Sequence, residues 1–248
     1  MMSSRSIPKW IIAICLLVQS TMARPVAAPS VPPNALYQPT FLTARESWCA
    51  GTAFIVEFPG APAPLLVTCH HLFGPSGGLE KQLEPQDLPK VVRGVAAVSM
   101  QDDQGVLLAR KCLVVADAKA MGSGEPATDL ALFLIEGQAQ LKPLHFADTS
   151  PLVGDEVFMY ARLSQQPNPS LYRATVIEVT PDAVTYHFAD KKIELRGTSG
   201  APVLNAKGEV IAMNLGGGKQ AGKLIGVGNP VESMRKRATD ALKAANAK

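Results

Sequence analysis

From Thr52 onward the chain alternates short apolar runs with breaks of Gly, Pro and Asp. Thr52-Ala53-Phe54-Ile55-Val56-Glu57-Phe58 and Leu65-Leu66-Val67-Thr68 read as two strands. The Pro59-Gly60-Ala61-Pro62-Ala63-Pro64 stretch between them reads as a turn, so the pair is a hairpin by composition. Further strand-like runs occupy residues 91–99, 106–109, 112–116, 130–135, 157–161, 172–179, 184–188, 203–204, 210–213 and 224–227. Many short strands at close spacing predict an all-β body, a sandwich or a pair of barrels. Residues 76–90 are polar and bounded by Gly and Pro, and read as a surface insertion. The period changes only at the end. Val231, Met234, Ala238 and Leu242 share one face of a C-terminal α-helix. Asn229 stands at its N-cap, Pro230 at the first helical position, and Glu232 where a capping box takes an acid.

The first residues read differently. Arg5 and Lys9 precede the short apolar run Trp10-Ile-Ile-Ala-Ile-Cys-Leu-Leu-Val18, and Thr21-Met22-Ala23 or Val26-Ala27-Ala28 offers a small-residue cleavage site. This is the pattern of a cleavable secretory signal peptide over residues 1–23, too short to span a bilayer comfortably. The expected location is secreted or periplasmic, with no stable membrane insertion after signal removal. Ile14 before Cys15 argues against a lipoprotein signal. Residues 24–45, rich in Pro and Ala at their start, read as an extended leader.

Composition narrows the function classes. The formal net charge of +3 is spread along the chain, apart from Arg235-Lys236-Arg237, which reads as a solvated helix face. That charge is too weak to imply nucleic acid or an anionic membrane as partner. Cys49, Cys69 and Cys112 remain after the signal. An oxidising compartment allows one disulfide among them. Their spacings suit no zinc motif, so no metal is expected, and Cys69-His70-His71 has no ligand partner at suitable spacing.

Candidate chemistry centres on Gly197-Thr198-Ser199-Gly200-Ala201-Pro202. A serine in a tight glycine turn exposes a hydroxyl and aims neighbouring N–H groups into one small space. The N–H groups of Gly197 and Ser199 would then hold a developing oxyanion. A histidine after a strand, His70 or His71, and an aspartate before a strand, Asp129, complete the parts of an activated nucleophile. His145 and His187 lie in strand-like contexts with no motif and read as structural.

These segments, in this order, resemble the chymotrypsin-fold, trypsin-like serine proteases. Cys49-Ala50-Gly51-Thr52-Ala53-Phe54 resembles the strand before the family's catalytic histidine. Val67-Thr68-Cys69-His70-His71 resembles its Thr-Ala-Ala-His motif. Thr128-Asp129-Leu130-Ala131-Leu132 resembles its Asp-Leu-Ala-Leu segment. Residues 141–161, with Asp148, Val153-Gly154 and Val157, resemble the interdomain crossing of bacterial Deg/HtrA-type members. Gly197 to Pro202 resembles Gly-Asp-Ser-Gly-Gly-Pro. The resemblance runs from about Trp48 to the final helix and makes the match specific.

The resemblance implies two six-stranded antiparallel β-barrels, residues 46–140 and 141–229, followed by a helix and tail at 230–248. It implies a serine endopeptidase without cofactor, acting on polypeptide substrate through Ser199 as nucleophile, His71 as base and Asp129 as its orienting carboxylate, by an acyl-enzyme. It places substrate binding at Ile193, Glu194, Asn214, Leu215 and Gly216. Ile193 falls at the base of the primary pocket, with Glu194 as neighbour, and Asn214 falls where a serine often supports the aspartate. Departures also matter. Thr198 replaces the aspartate that digestive proteases use in zymogen activation, and no Ile-Val-Gly-Gly start occurs. Cys69 precedes His71 by two residues, whereas the family's cysteine follows its histidine, which leaves a Cys49–Cys69 bridge open. Only the helix and tail follow the second barrel, so a protease domain without a PDZ domain is expected. The alternative function is a non-catalytic peptide-binding module on the same fold.

Overall fold

The first set of strands closes into a ring. The computed structural model describes residues 26–101, 105–137, 141–164 and 166–247; the signal-peptide segment lies outside them. The strands of the first half are β1 (Leu36–Leu42), β2 (Ser47–Cys49), β3 (Ala53–Glu57), β4 (Leu65–Thr68), β5 (Gly94–Ser99), β6 (Val106–Leu113), β7 (Ala131–Ile135) and β8 (Leu144–His145). Six of them form an antiparallel ring in the order β1-β5-β6-β7-β4-β3, closed by Leu36 opposite Phe54 and Tyr37 opposite Ala53. Strand β2 extends β1, and β8 runs parallel beside β3.

The second half supplies β9 (Glu156–Ala161), β10 (Ser170–Val179), β11 (Val184–Phe188), β12 (Pro202–Leu204), β13 (Val210–Gln220) and β14 (Lys223–Pro230). They form a second closed barrel in the order β10-β11-β14-β13-β12-β9. Two six-stranded antiparallel barrels are therefore present, as expected. In β11 the alternation is direct: Val184, Tyr186 and Phe188 are buried, while Thr185 and His187 are half-buried. Strands β3, β4 and β7 are buried on both faces and accordingly read as unbroken apolar runs.

The barrels share an apolar seam. The core around Phe41, Phe54, Phe73 and Phe133 continues into Leu204, Val210, Met213 and Leu215 of the second barrel. The C-terminal helix, α2 (Val231–Asn246), adds Val231, Met234, Ala238 and Leu242 to that core, the face its period predicts. The basic run on α2 does not simply face solvent. Arg235 donates to the carbonyls of Ala147 and Asp148, and Arg237 makes a paired contact with Asp117 at 2.8 and 3.1 Å.

Several sequence expectations need correction. The stretch read as leader contains β1, whose Leu36, Tyr37 and Phe41 are buried; Pro39 inside it and the prolines before it obscure the alternation. Asn229 does not cap α2. Pro230 holds the N-cap position, and the Asn229 amide points instead to the carbonyls of Ala127 and Asp129. The runs at 106–109 and 112–116 are largely one strand, β6, with an irregularity between Ala109 and Lys111 where the charged residues broke the pattern. The run at 91–99 begins as a strand only at Gly94, because a short helix α1 (Leu88–Val91) precedes it. Among the described residues no disulfide forms: Cys49 is exposed on β2, Cys69 is buried and Cys112 is half-buried, all as free thiols. Cys69 faces inward, its thiol 3.6 Å from the Asn214 carbonyl, so it does not meet Cys49.

The 76–90 insertion packs back onto the chain leaving β4. Gln82 donates to the His70 carbonyl at 3.0 Å, and the Leu83 N–H to the Phe73 carbonyl at 2.8 Å. Residues His70–Phe73 make a single 3₁₀ turn, wholly buried. Phe73 anchors it, with ring centroids 4.5 Å from Phe41 and 6.0 Å from Phe133. His70 is 1% exposed and, among the described residues, its Nδ1 has no hydrogen-bond partner. Burial holds its pKa below the ordinary 6.5, with Asp129 opposing that shift.

A histidine depressed in the folded state takes up its proton more readily when unfolded. Its contribution to stability is complete above the ordinary pKa and is lost as pH falls below it. We therefore predict that His70→Gln flattens the acid limb of the stability profile. Urea midpoints taken at about pH 8 and about pH 5 should fall less in the variant than in the parent chain. Equal falls would show that His70 does not contribute.

Candidate active site

Asp129 organises the site. The turn Pro126–Thr128 delivers it to the start of β7, fully buried. A buried carboxylate is costly unless charge-assisted hydrogen bonds replace its water. Asp129 has three donors. The His71 backbone N–H lies 2.9 Å from Oδ1, and the His71 ring Nδ1 lies 2.6 Å from Oδ2. The Met121 N–H reaches Oδ2 at 2.8 Å. Facing an acceptor, Nδ1 carries the ring hydrogen, which leaves the Nε2 lone pair available as a base. His71 is buried to 6% exposure, so that ring is fixed rather than free to turn.

A second layer holds the aspartate's main chain. The Asn229 amide donates to the Asp129 carbonyl at 3.2 Å and to the Ala127 carbonyl at 3.1 Å. Ser233 Oγ adds a bond to Ala127 at 2.7 Å. Sequence reading missed Asn229, Ser233 and Met121 in these roles. Only the first-named carried any signal, and it was mistaken for a helix cap.

The Ser199 turn is built from glycine geometry and tied to the His71 segment. Gly197 and Gly200 have φ of 80° and 91°. A Cβ on Gly200 would lie 1.9 Å from the Thr52 carbonyl oxygen, so the position excludes every side chain. The Thr52 N–H donates to the Ser199 carbonyl and its hydroxyl to the Gly197 carbonyl, both at 2.8 Å. Thr68, three residues before His71, donates its hydroxyl to the Thr52 carbonyl at 2.7 Å. The histidine strand and the serine turn are thus clamped through one threonine. The Thr198 N–H closes on Leu195, and the Gly200 N–H on Asn214. Among the described residues, the N–H groups of Gly197 and Ser199 make no hydrogen bond within the chain. The Ser199 hydroxyl donates to the Leu215 carbonyl at 3.0 Å.

The remaining residues expected to bind substrate are placed variously. Asn214 does not support Asp129. Its fully buried amide donates to Thr198 O and Oγ1 at 3.1 and 3.0 Å and accepts from the Tyr186 hydroxyl at 2.6 Å, making it a brace for the serine turn. Leu215 is buried in the seam between the barrels, and only its carbonyl meets Ser199. Ile193 is buried in the second barrel's core. Glu194 is exposed and, with Tyr172, Asp190 and Lys192, lines a cavity of about 220 Å³. Leu195 was not anticipated: its Cδ1 lies 2.9 Å from where a Gly217 Cβ would stand. Gly216 sits below the Met121 methyl, which is 3.5 Å from its Cβ position. From Gly216 to Gln220, β13 pairs with β14 on one edge, whereas β12 reaches only Val210–Met213 on the other. Among the described residues, that edge of β13 is left free and runs away from Ser199.

Burial also raises the Cys69 thiol well above its ordinary pKa, with the Asp129 charge adding to the effect. The thiol stands beside the pair: Cys69, His71 and Asp129 offer donor atoms within 4.8 Å of one another.

Comparison with known proteins agrees with this architecture. No curated protein sequence matches the chain. Among solved structures, a serine endoprotease from Yersinia pestis superposes with a TM-score of 0.56 at 14% identity, over 85% of this chain and 63% of that one. The active form of the Rv3671c protease from M. tuberculosis superposes with a TM-score of 0.54 at 15% identity, over 88% of this chain and 90% of that one. At such identities the likeness speaks for the fold alone. The sequence model of the trypsin-like peptidase domain matches residues 51–213, a stretch that runs from Gly51 through Asp129 and Ser199 to Met213. The chain belongs to the trypsin-like peptidase domain family.

Proposed function

We propose that this protein is a serine endopeptidase that cleaves polypeptides through an acyl-enzyme. One observation carries the reading. A buried His71–Asp129 pair stands one threonine clamp from a serine turn whose Gly197 and Ser199 N–H groups are unpaired, while the N–H groups of Thr198 and Gly200 are bonded. Ser199 Oγ attacks the scissile carbonyl carbon, and its proton passes to His71 Nε2. Asp129 stabilises the imidazolium that results, and the proton is then given to the leaving amine. The two N–H groups receive the oxyanion, an interaction worth about 10²–10³ in rate per donor in comparable sites. Water then repeats the sequence on the acyl-enzyme. The extended substrate pairs with the free edge of β13.

A second reading, a peptide-binding module without hydrolysis, draws on the Ser199 hydroxyl being bonded to the Leu215 carbonyl. On the peptidase reading that hydroxyl turns to His71 when substrate binds, since catalytic hydrogen bonds commonly tighten only in the bound complex. Labelling with a serine-reactive fluorophosphonate separates the two: the peptidase labels and Ser199→Ala does not, whereas a binding module labels in neither.

Because nucleophile and base act as one unit, their losses do not add. Ser199→Ala and His71→Ala should each lower kcat by on the order of 10⁴–10⁶, and the double variant hardly further. Full activity in His71→Ala together with none in His70→Ala would reassign the base.

For specificity, we propose cleavage after small or medium apolar residues. Ile193, which the family resemblance sets at the pocket base and the structure buries in the barrel core, offers no partner to a substrate cation, which is costly to bury unpaired. Exposed Glu194 supplies the competing arrangement. A peptide-library profile dominated by Lys or Arg, and abolished in Glu194→Gln, would refute the apolar pocket.

For location, we propose export with removal of the signal. N-terminal sequencing of exported protein should begin near Arg24 or Ala28; an intact Met1 would refute removal.

A further inference from the structure

Cys69 has no part in the peptidase mechanism, yet its thiol stands beside the pair that does. The sequence showed no ligand spacing here because the third donor, Asp129, comes from the far side of the first barrel's chain path. Thiol, imidazole and carboxylate are the donor types that zinc takes, and three of them around one ion leave a fourth position open. All three residues are buried, Cys69 and Asp129 fully and His71 to 6% exposure. Donors on one tetrahedral zinc stand about 3.3–3.6 Å apart, from bond lengths of about 2.0–2.3 Å. The 4.8 Å limit within which all the donor atoms lie requires only a modest contraction on the sulfur side. The 2.6 Å separation of His71 Nδ1 and Asp129 Oδ2 is, in contrast, too short for two ligands of one ion. An ion that binds both must push them apart and break their hydrogen bond.

We propose that Cys69, His71 and Asp129 form a capture site for a divalent cation of borderline softness, zinc above all, and that its occupation switches the enzyme off. The binding half stands by itself; the inhibitory half rests on the peptidase reading. The cation takes Cys69 as thiolate and His71 through Nδ1, whose hydrogen moves to Nε2 by exchange with solvent, so each capture releases the thiol proton alone and tightens as pH rises. Exposed Cys49 and half-buried Cys112 serve as internal controls, being retained when Cys69 is replaced.

The test uses the full mature chain with cobalt(II) as spectroscopic probe and zinc as competitor. Cobalt should give a thiolate-to-metal charge-transfer band that zinc displaces. The band should persist in Ser199→Ala and vanish in Cys69→Ala. Cys69→Ser, which keeps a hydrogen-bond donor towards Asn214, replaces the alanine variant if that fails to fold. In hydrolysis assays, each protein is compared with its own metal-free rate. Loss of a direct ligand should weaken zinc inhibition at least as much as loss of an outer-sphere partner does, about ten- to a hundredfold. A band surviving in Cys69→Ala, the absence of any band, or equal zinc sensitivity in both proteins would overturn the proposal. A Cys69-dependent band in a chain that hydrolyses nothing would uphold the metal site and overturn the peptidase reading.

Discussion

A fully buried carboxylate is the constraint on which the site depends. Asp129 cannot be held in an apolar seam unless its oxygens are met by donors, and a buried charge that loses a partner costs about 3–5 kcal/mol. The donors come from two places, the turn after β4 and the 119–128 loop through Met121. Satisfying the carboxylate therefore fixes the His71 ring, its tautomer and one wall of the cleft at once. The geometry of the pair follows from solvation: the arrangement that makes a buried carboxylate tolerable is the one that orients the imidazole, the base of the proposed mechanism.

The second barrel is coupled to that point by two routes. Asn229 and Ser233, at the junction of β14 and α2, hold the carbonyls of Ala127 and Asp129. Thr52 and Thr68 hold the serine turn against the histidine strand. Between them lies the apolar seam of Leu204, Met213 and Leu215 with the first barrel's core and α2. Few polar contacts span the barrels at the site, but each is buried or part-buried, where a hydrogen bond is hard to replace with water. A short amphipathic helix at the chain's end thus bears on the placement of Asp129.

What the sequence disclosed follows the range of the physics. Strands β3, β4, β7, β9 and β11 were legible because alternation or continuous burial is written in neighbouring residues. His71, Asp129 and Ser199 could be named as candidates because each sits in a local motif beside a strand. Closure of the first barrel was not, since it depends on Leu36 and Tyr37 pairing across to Phe54 and Ala53 from within a proline-rich stretch. Asn229 looked like a cap because Asn before Pro and a helical period is a capping pattern; its actual partners lie about a hundred residues earlier, where no local rule reaches. Asn214 was assigned to the aspartate by alignment, yet its amide serves Thr198 and Tyr186. A one-residue offset on a strand turns a side chain to the other face, and this strand carries an irregularity between Asn214 and Gly216.

The glycine run after that irregularity bears on what the cleft is for. Gly217 is forced by packing, because a Cβ there would stand 2.0 Å from the Ile225 carbonyl oxygen. Gly216 is forced by its backbone, with φ of 152°. Gly218 is forced by neither: nothing lies within 4 Å of its Cβ position. A glycine in a strand weakens it by roughly 0.5–1 kcal/mol relative to alanine, so the fold alone would favour a side chain at that position. The run also lies on an edge that no described strand covers, where unpaired N–H and C=O groups invite a foreign strand. A bare backbone at an uncovered edge, leading away from the Ser199 turn, is the surface against which another backbone can lie closely. On the proposed reading, the glycine that folding does not require leaves room for the approach of an extended chain.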